Sequence, residues 1–332
     1  MLIWAGFIVC TAIIVYAGTR LSKYGDIIAE KTGLGRTWIG VLVMASVTSL
    51  PELMTGISSV TYAMVPNIAV GDILGSCVFN MLILALLDAV YRPAPLSTKA
   101  HQGNILSAGF GIVLLSIVAT SLFLGNRLFS LGWIGPYSLL FVAFYFIAMK
   151  LVYSYERKQI LAFIKDRAVE FKYKDIPLKT AVLNYALHAV FVVIAAVFLP
   201  NIGKGISEMT GLGQTFVGTI FIALSTSLPE VVVSVAAVKI DAVDLAIGNL
   251  FGSNIFNIFI LALDDFLFIK GPLLSFANPD HLISALSAVA MTAVAIIGLT
   301  YRAERKRLFL AWDSSMIVLL YAINLLLLYI LK

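Results

Sequence analysis

Glu52 and Glu230 each close the same five residues, Thr-Ser-Leu-Pro-Glu, and each lies inside a long apolar stretch. A buried carboxylate must be compensated by a proton, a cation or hydrogen-bond donors. At helical spacing Thr48 and Ser49 share a face with Glu52, as Thr226 and Ser227 do with Glu230. Pro51 and Pro229 break the helix, because each lacks the N–H that would bond the carbonyl of Val47 or Ser225. One carboxylate, two hydroxyls and loosened carbonyls per copy form an all-oxygen set, which suits a hard cation such as Ca²⁺. A proline or a serine in an apolar helix is usually structural. Two glutamates in identical polar settings are not explained that way.

A second repeated block adds to the set. Ser76 and Asn80 are one turn apart, and so are their counterparts Ser253 and Asn257, which supply hydroxyl and amide oxygens. Gly71, Gly75, Gly248 and Gly252 have the small-xxx-small spacing that lets membrane helices approach closely. Asp72 faces Asn249 in the alignment and is expected to be an acid in the access path or a helix-end cap. Asp88, Asp264 and Asp265 lie two turns beyond the asparagines and are expected near the membrane surface, solvated, with attraction of cations as the alternative.

The elements that carry these residues follow from composition. The chain has 332 residues, 61% hydrophobic and 12% charged, with a mean hydropathy of +0.99. Soluble domains carry about 25% charged residues, so this is an integral membrane protein. Apolar runs of about 20 residues, enough for a helix to cross the hydrocarbon, centre near Ile13, Leu42, Leu82, Val113, Phe141, Val192, Ile222, Ile258, Val289 and Leu320. The fold class is therefore an all-α polytopic membrane protein of about ten spans. The first span lacks a cleavage pattern and reads as a retained helix.

The chain uses one unit twice. "TGLGRTWIGVLVMASVTSLPEL" from Thr32 matches "TGLGQTFVGTIFIALSTSLPEV" from Thr210, and "VGDILGSCVFNMLILALLD" from Val70 matches "IGNLFGSNIFNIFILALDD" from Ile247. Five spans per copy is an odd number, so the second copy enters the membrane upside down. Inverted five-helix repeats of this kind hold the ion site of secondary transporters at their midplane interface. The division is residues 1–156, first repeat; 157–176, a basic linker; and 177–332, second repeat. The linker reads as a solvated, topology-setting segment rather than an amphipathic surface helix.

The net charge of +5 reflects topology, not nucleic-acid binding. Apart from Arg127, Lys204, Lys270 and Lys332, every Lys and Arg falls on one face. The positive-inside rule then puts both termini outside and the central loop in the cytoplasm of a cell membrane. Cys10 and Cys77 lie in apolar spans and read as core, not as a disulfide. No nucleotide-binding motif occurs and no cofactor is implied. An intramembrane enzyme is disfavoured, because His101, His188 and His281 do not recur between the repeats and no base accompanies a serine.

The two TSLPE blocks, with "GSCVFN" and "GSNIFN", resemble the α1 and α2 repeats of the sodium/calcium exchanger family, within the Ca²⁺/cation antiporters. The resemblance implies alternating-access antiport with Glu52 and Glu230 binding Ca²⁺ in competition with a counter-ion. It also implies supporting oxygens from Thr48, Ser49, Thr226, Ser227, Ser76, Ser253, Asn80 and Asn257 and the carbonyls of Ala45 and Ala223. The family usually has Gly where this chain has Val47 and Ser225, and many sodium exchangers have Asp where Asn257 stands. Two carboxylates balance one Ca²⁺ or two protons, which tilts the expected counter-ion towards H⁺ over Na⁺. A Na⁺/Ca²⁺ exchanger with the same site, or a divalent-cation channel, are the alternatives.

Overall fold

The computed structural model describes residues 2–32, 45–92, 94–100, 103–163, 176–239, 243–306 and 309–331. The first repeat runs through α1 (Leu2–Thr32), α2 (Ala45–Thr48), α3 (Leu50–Thr61), α4 (Pro66–Val90), α5 (Gly103–Leu124) and α6 (Pro136–Phe163). The second runs through α7 (Leu178–Thr210), α8 (Gln214–Val217), a π-helical stretch (Gly218–Ile222), α9 (Ala223–Thr226), α10 (Leu228–Lys239), α11 (Val243–Leu267), α12 (His281–Tyr301) and α13 (Trp312–Ile330). Among the described residues the one β pairing is an isolated bridge between Leu131 and Ile134.

Eight of these helices are long and apolar enough to cross a membrane singly, and Gln214–Thr226 with Leu228–Lys239 make a further span bent by 45°. In the first repeat the matching stretch is described from Ala45 on, as α2 and α3; its expected centre, Leu42, lies outside the described residues. Every other expected centre falls within a span. The protein is thus an all-α membrane protein of two inverted helical repeats. α6 continues past residue 156 to Phe163, and the remainder of the linker up to residue 175 lies outside the described residues.

Burial sorts the spans. In α4 and α11, 72% and 83% of the apolar window is covered by protein, against 22% and 28% in α1 and α7. α4 and α11 therefore form the centre, and α1 and α7 present apolar faces to lipid. The central pair is stitched at its crossing by the Asn80 amide donating to Asn254 Oδ1 at 2.9 Å and by Cys77 Sγ facing the Asn254 carbonyl at 3.9 Å. Asp72, near the start of α4, lies within electrostatic reach of Asp264, near the end of α11. The two helices therefore run in opposite directions, as inversion requires.

The expected close approach is realised at Gly71 and Gly75, against the opposite repeat's broken span. A Cβ on Gly71 would stand 3.0 Å from Gly218 Cα, and one on Gly75 would stand 2.7 Å from both Thr219 Cα and Ala223 Cβ. Backbone meets backbone along this seam, where any side chain would force the helices apart. π turns of this sort are frequent at functional sites. Apolar packing falls into two bodies: a main core over α4 to α6 and α11 to α13, and a smaller one joining Cys10 and Ile14 of α1, Leu199 and Ile206 of α7, and Ile68, Val217 and Ile222. Both cysteines are buried and free.

The three late aspartates correct the sequence expectation. Asp88, Asp264 and Asp265 are 1%, 0% and 0% exposed, not solvated. The loop after each central helix folds back as a 3₁₀ turn, Leu96–Thr98 or Leu273–Ser275, and covers the carboxylate. Asp88 accepts from Leu96 N and Ala311 N, each at 2.7 Å, and pairs with Lys306 at 3.2 Å. Asp265, its repeat counterpart, accepts from Leu273 N at 2.6 Å, Gly135 N at 2.8 Å, Ser138 Oγ at 2.6 Å and Tyr137 Oη at 2.9 Å. Each aspartate is a latch that fastens a loop to a helix end. Asp264 alone has no hydrogen-bond partner in the protein.

Replacing Asp265 by Ala strands four donors in a buried site, and each stranded group carries a desolvation cost of about 1–3 kcal/mol. Thermal unfolding in detergent should show Asp265→Ala melting well below the parent, with Asp265→Asn in between. Equal melting of all three would show that the latch holds nothing.

Candidate functional site

Both Thr-Ser-Leu-Pro-Glu blocks fold alike. The helix stops at serine, Ser49 with φ −85° and ψ 15° and Ser227 with φ −88° and ψ 4°. These are bridge-region conformations, sparsely populated and common at active sites. Before the break, Ala45 O accepts from Ser49 N and Ala223 O from Ser227 N, both at 3.0 Å. After it a new helix starts, with Glu52 in the first turn of α3 and Glu230 in the first turn of α10. The positive end of a helix dipole thus points at each carboxylate.

Glu52 and Glu230 are both 0% exposed and near enough for their charges to act on each other. Each is served by the other repeat. Ser49 Oγ donates to Glu230 Oε1 at 3.2 Å, and Ser227 Oγ lies 2.9 Å from Glu52 Oε1. Thr48 sits beside Glu230, and Thr226 beside Glu52. Ser76 Oγ is 3.3 Å from Glu52 Oε1 and 2.8 Å from Ser227 Oγ. One of these two serines therefore donates to the other, which passes the bond on to Glu52.

What is left over is mostly oxygen. Among the described residues Oε2 of Glu52 and of Glu230, Ser253 Oγ, Asn80 Oδ1 and both Oδ1 and Nδ2 of Asn257 are buried without a hydrogen-bond partner. With its amide held by Asn254, Asn80 has its carbonyl oxygen free. Thr48 Oγ1 donates to Ala45 O at 3.2 Å, and Ala223 O lies 3.2 Å from Thr226 Oγ1, so each alanine carbonyl already has partners in its own helix but keeps lone-pair capacity. Among the described residues no three His, Cys, Asp or Glu side chains form a metal-holding group. The cage is built instead from two carboxylates, hydroxyls and amides. Such a set suits a cation that exchanges its hydration shell for protein oxygens.

Asp72 lies against this cage: Thr226 Oγ1 is 2.8 Å from Asp72 Oδ1, and the acid is fully buried. Two contacts were not legible in the sequence. Asn80 pairs with Asn254, whose repeat counterpart is Cys77, so the duplicated pattern pointed to Asn257 instead. Ser225, where the family usually has Gly, bonds Thr11 of α1 at 2.7 Å, and nothing in either residue's neighbourhood signals that pairing. His281 is buried near Thr215 and His188 lies in α7; neither enters the cage, and His101 lies outside the described residues.

Inverted bundles with broken, oxygen-lined helices meeting at midplane define a secondary ion transporter. The chain belongs to the sodium/calcium exchanger protein family, whose model matches residues 2–154 and 180–330. It is similar to the inner membrane protein YrbG of Escherichia coli K12, 28% identical over 263 residues that cover 79% of this chain and 78% of that one. Its fold is that of the sodium-calcium exchanger NCX_Mj, at TM-score 0.60, 23% identity and 98% coverage of both chains. It is also that of the H⁺/Ca²⁺ exchanger CAX, at TM-score 0.70, 13% identity, and coverage of 99% of this chain and 84% of that one. The protein is a Ca²⁺/cation exchanger of the membrane, not an enzyme.

The unequal hydrogen bonding of the two serines is measurable. Ser227 contacts both Glu52 and Ser76, whereas Ser49 contacts Glu230 alone, and hydrogen bonds between membrane helices average about 0.6 kcal/mol. Ser227→Ala should therefore lower unfolding stability in detergent at least as much as Ser49→Ala, and the reverse order would contradict this geometry.

Proposed function

We propose that the protein is a secondary active antiporter that moves Ca²⁺ by alternating access in exchange for H⁺. The carrying observation is the reciprocal pair: each buried glutamate is held through one oxygen by the other repeat's serine and keeps its second oxygen unpartnered. Ca²⁺ is bound between Glu52 and Glu230. Thr48, Ser49, Thr226, Ser227, Ser76, Ser253, Asn80, Asn257 and the carbonyls of Ala45 and Ala223 supply the remaining oxygens, and Pro51 and Pro229 keep the helices broken there. The basic residues argue for both termini outside a cell membrane and the central loop in the cytoplasm.

Protons and Ca²⁺ compete for the same two carboxylates, since a ligating carboxylate must be deprotonated. Two protons or one Ca²⁺ each neutralise the cage, and a neutral cage is the form that can move between faces. An empty, doubly charged one would expose unpaired charge to hydrocarbon. The sign follows: acidifying one face favours the protonated cage there and weakens Ca²⁺ binding at that face, and raising the pH strengthens it.

A sodium-coupled version of the same cycle is the second reading, and Asp72 favours it. The bond from Thr226 brings a third carboxylate against the cage, enough negative charge to balance several monovalent ions.

Proteoliposomes loaded with Ca²⁺ and given a pH gradient or a Na⁺ gradient in turn decide between them. Ca²⁺ should move against an imposed proton gradient without Na⁺, and movement driven by Na⁺ alone would replace H⁺ with Na⁺. Leak through a channel would instead ignore both opposing gradients. Glu52→Gln and Glu230→Gln should each abolish coupled flux; normal flux in both would remove the cage from the mechanism.

A further inference from the structure

The repeats match through the cage, but the next layer out does not. One turn beyond Glu52 on α3 comes Gly56, and one turn before Ser76 on α4 comes Asp72. Asp264 of α11 fills the space over Gly56, its carboxyl carbon 2.9 Å from where a Cβ would be. It is wholly buried, and neither of its oxygens has a hydrogen-bond partner among the described residues. Its charge reaches Asp72, whose Oδ1 takes the Thr226 bond while Oδ2 has no partner. Ser59, on the Gly56 face of α3, is likewise buried with an unpartnered hydroxyl.

On the other side of the cage the corresponding layer is neutral. Leu87 stands at the position of Asp264, Asn249 at that of Asp72 and Ser234 at that of Gly56, and the Asn249 amide donates to Ser234 Oγ at 3.4 Å. Two buried carboxylates without a basic partner are costly in a membrane interior, and among the described residues this layer carries them on one side only. We infer that Asp264 and Asp72, with the Ser59 hydroxyl, form a second binding station for a divalent cation, one helical turn from the cage towards the connection between α3 and α4. Two carboxylates balance one Ca²⁺. A Ca²⁺ held in the cage repels a second in the station, so the two sites fill in turn and the ion is handed on, as between neighbouring sites in a conduction path. The role in transport rests on the cage being the Ca²⁺ site; the binding itself does not.

Equilibrium binding of ⁴⁵Ca²⁺ to the purified full-length protein in detergent tests it. The Glu52→Gln/Glu230→Gln double variant, checked as monodisperse, should keep a single residual site that is about tenfold weaker than the parent's, as fewer and weaker ligands dictate. Adding Asp264→Asn should remove that site. Gly56→Ala, which displaces the Asp264 carboxylate without deleting its charge, should weaken it. Absence of residual binding in the double variant, or residual binding that survives Asp264→Asn, overturns the station. If the double variant binds as the parent does, the cage reading fails, while the Asp264→Asn comparison still decides the station.

Discussion

Two carboxylates buried in one membrane protein, neither with a basic partner among the described residues, are the constraint to which the rest of the architecture answers. Each is kept in place by hydroxyls from the repeat it does not belong to. That exchange requires the two broken spans to meet point to point. The prolines supply the breaks, the serine backbone conformations set the angle, and the glycines of α4 let the spans come close enough. The protein's own donors reach one oxygen of each glutamate and leave the other. Each glutamate thus keeps one oxygen that no described donor reaches.

Duplication with inversion gives two equivalent halves, yet the copies have diverged where it matters for charge. In the cage the glutamates, the Thr-Ser pairs and the Ser and Asn positions are kept in both. Outside it, Asp72 faces Asn249 and Asp264 faces Leu87 in the alignment. The latches show milder divergence: Asp88 and Asp265 both fasten a 3₁₀ turn, but one recruits Lys306 and the other Tyr137 and Ser138. Equivalent geometry therefore survives with different partners, because a buried carboxylate needs several donors and is indifferent to which side chains provide them.

Much of this was legible in the residues. Apolar runs gave the spans, the repeated polar blocks gave the inversion, and helical spacing placed Thr48, Ser49 and Glu52 together, and likewise Thr226, Ser227 and Glu230. These residues do meet at the centre. The failures share a cause. Periodicity assigns a residue to a face of its helix but does not say what covers that face. Asp88, Asp264 and Asp265 looked solvated by their distance from the centre, and the returning loops and a glycine notch bury them. Asn254 was invisible because it breaks the repeat, and the π stretch has no sequence mark comparable to a proline.

The contact of Gly71 and Gly75 with the Gly218–Ile222 stretch has a mechanical meaning. Most helix pairs lock because ridges of side chains sit in grooves, and shifting one past the other means lifting every tooth. Here the mating surface at Gly71 and Gly75 is mostly main chain, with the Ala223 methyl as its one side-chain contact. Such a joint holds the helices close while presenting few teeth to sliding, in the manner of a bearing set directly beside the two glutamates.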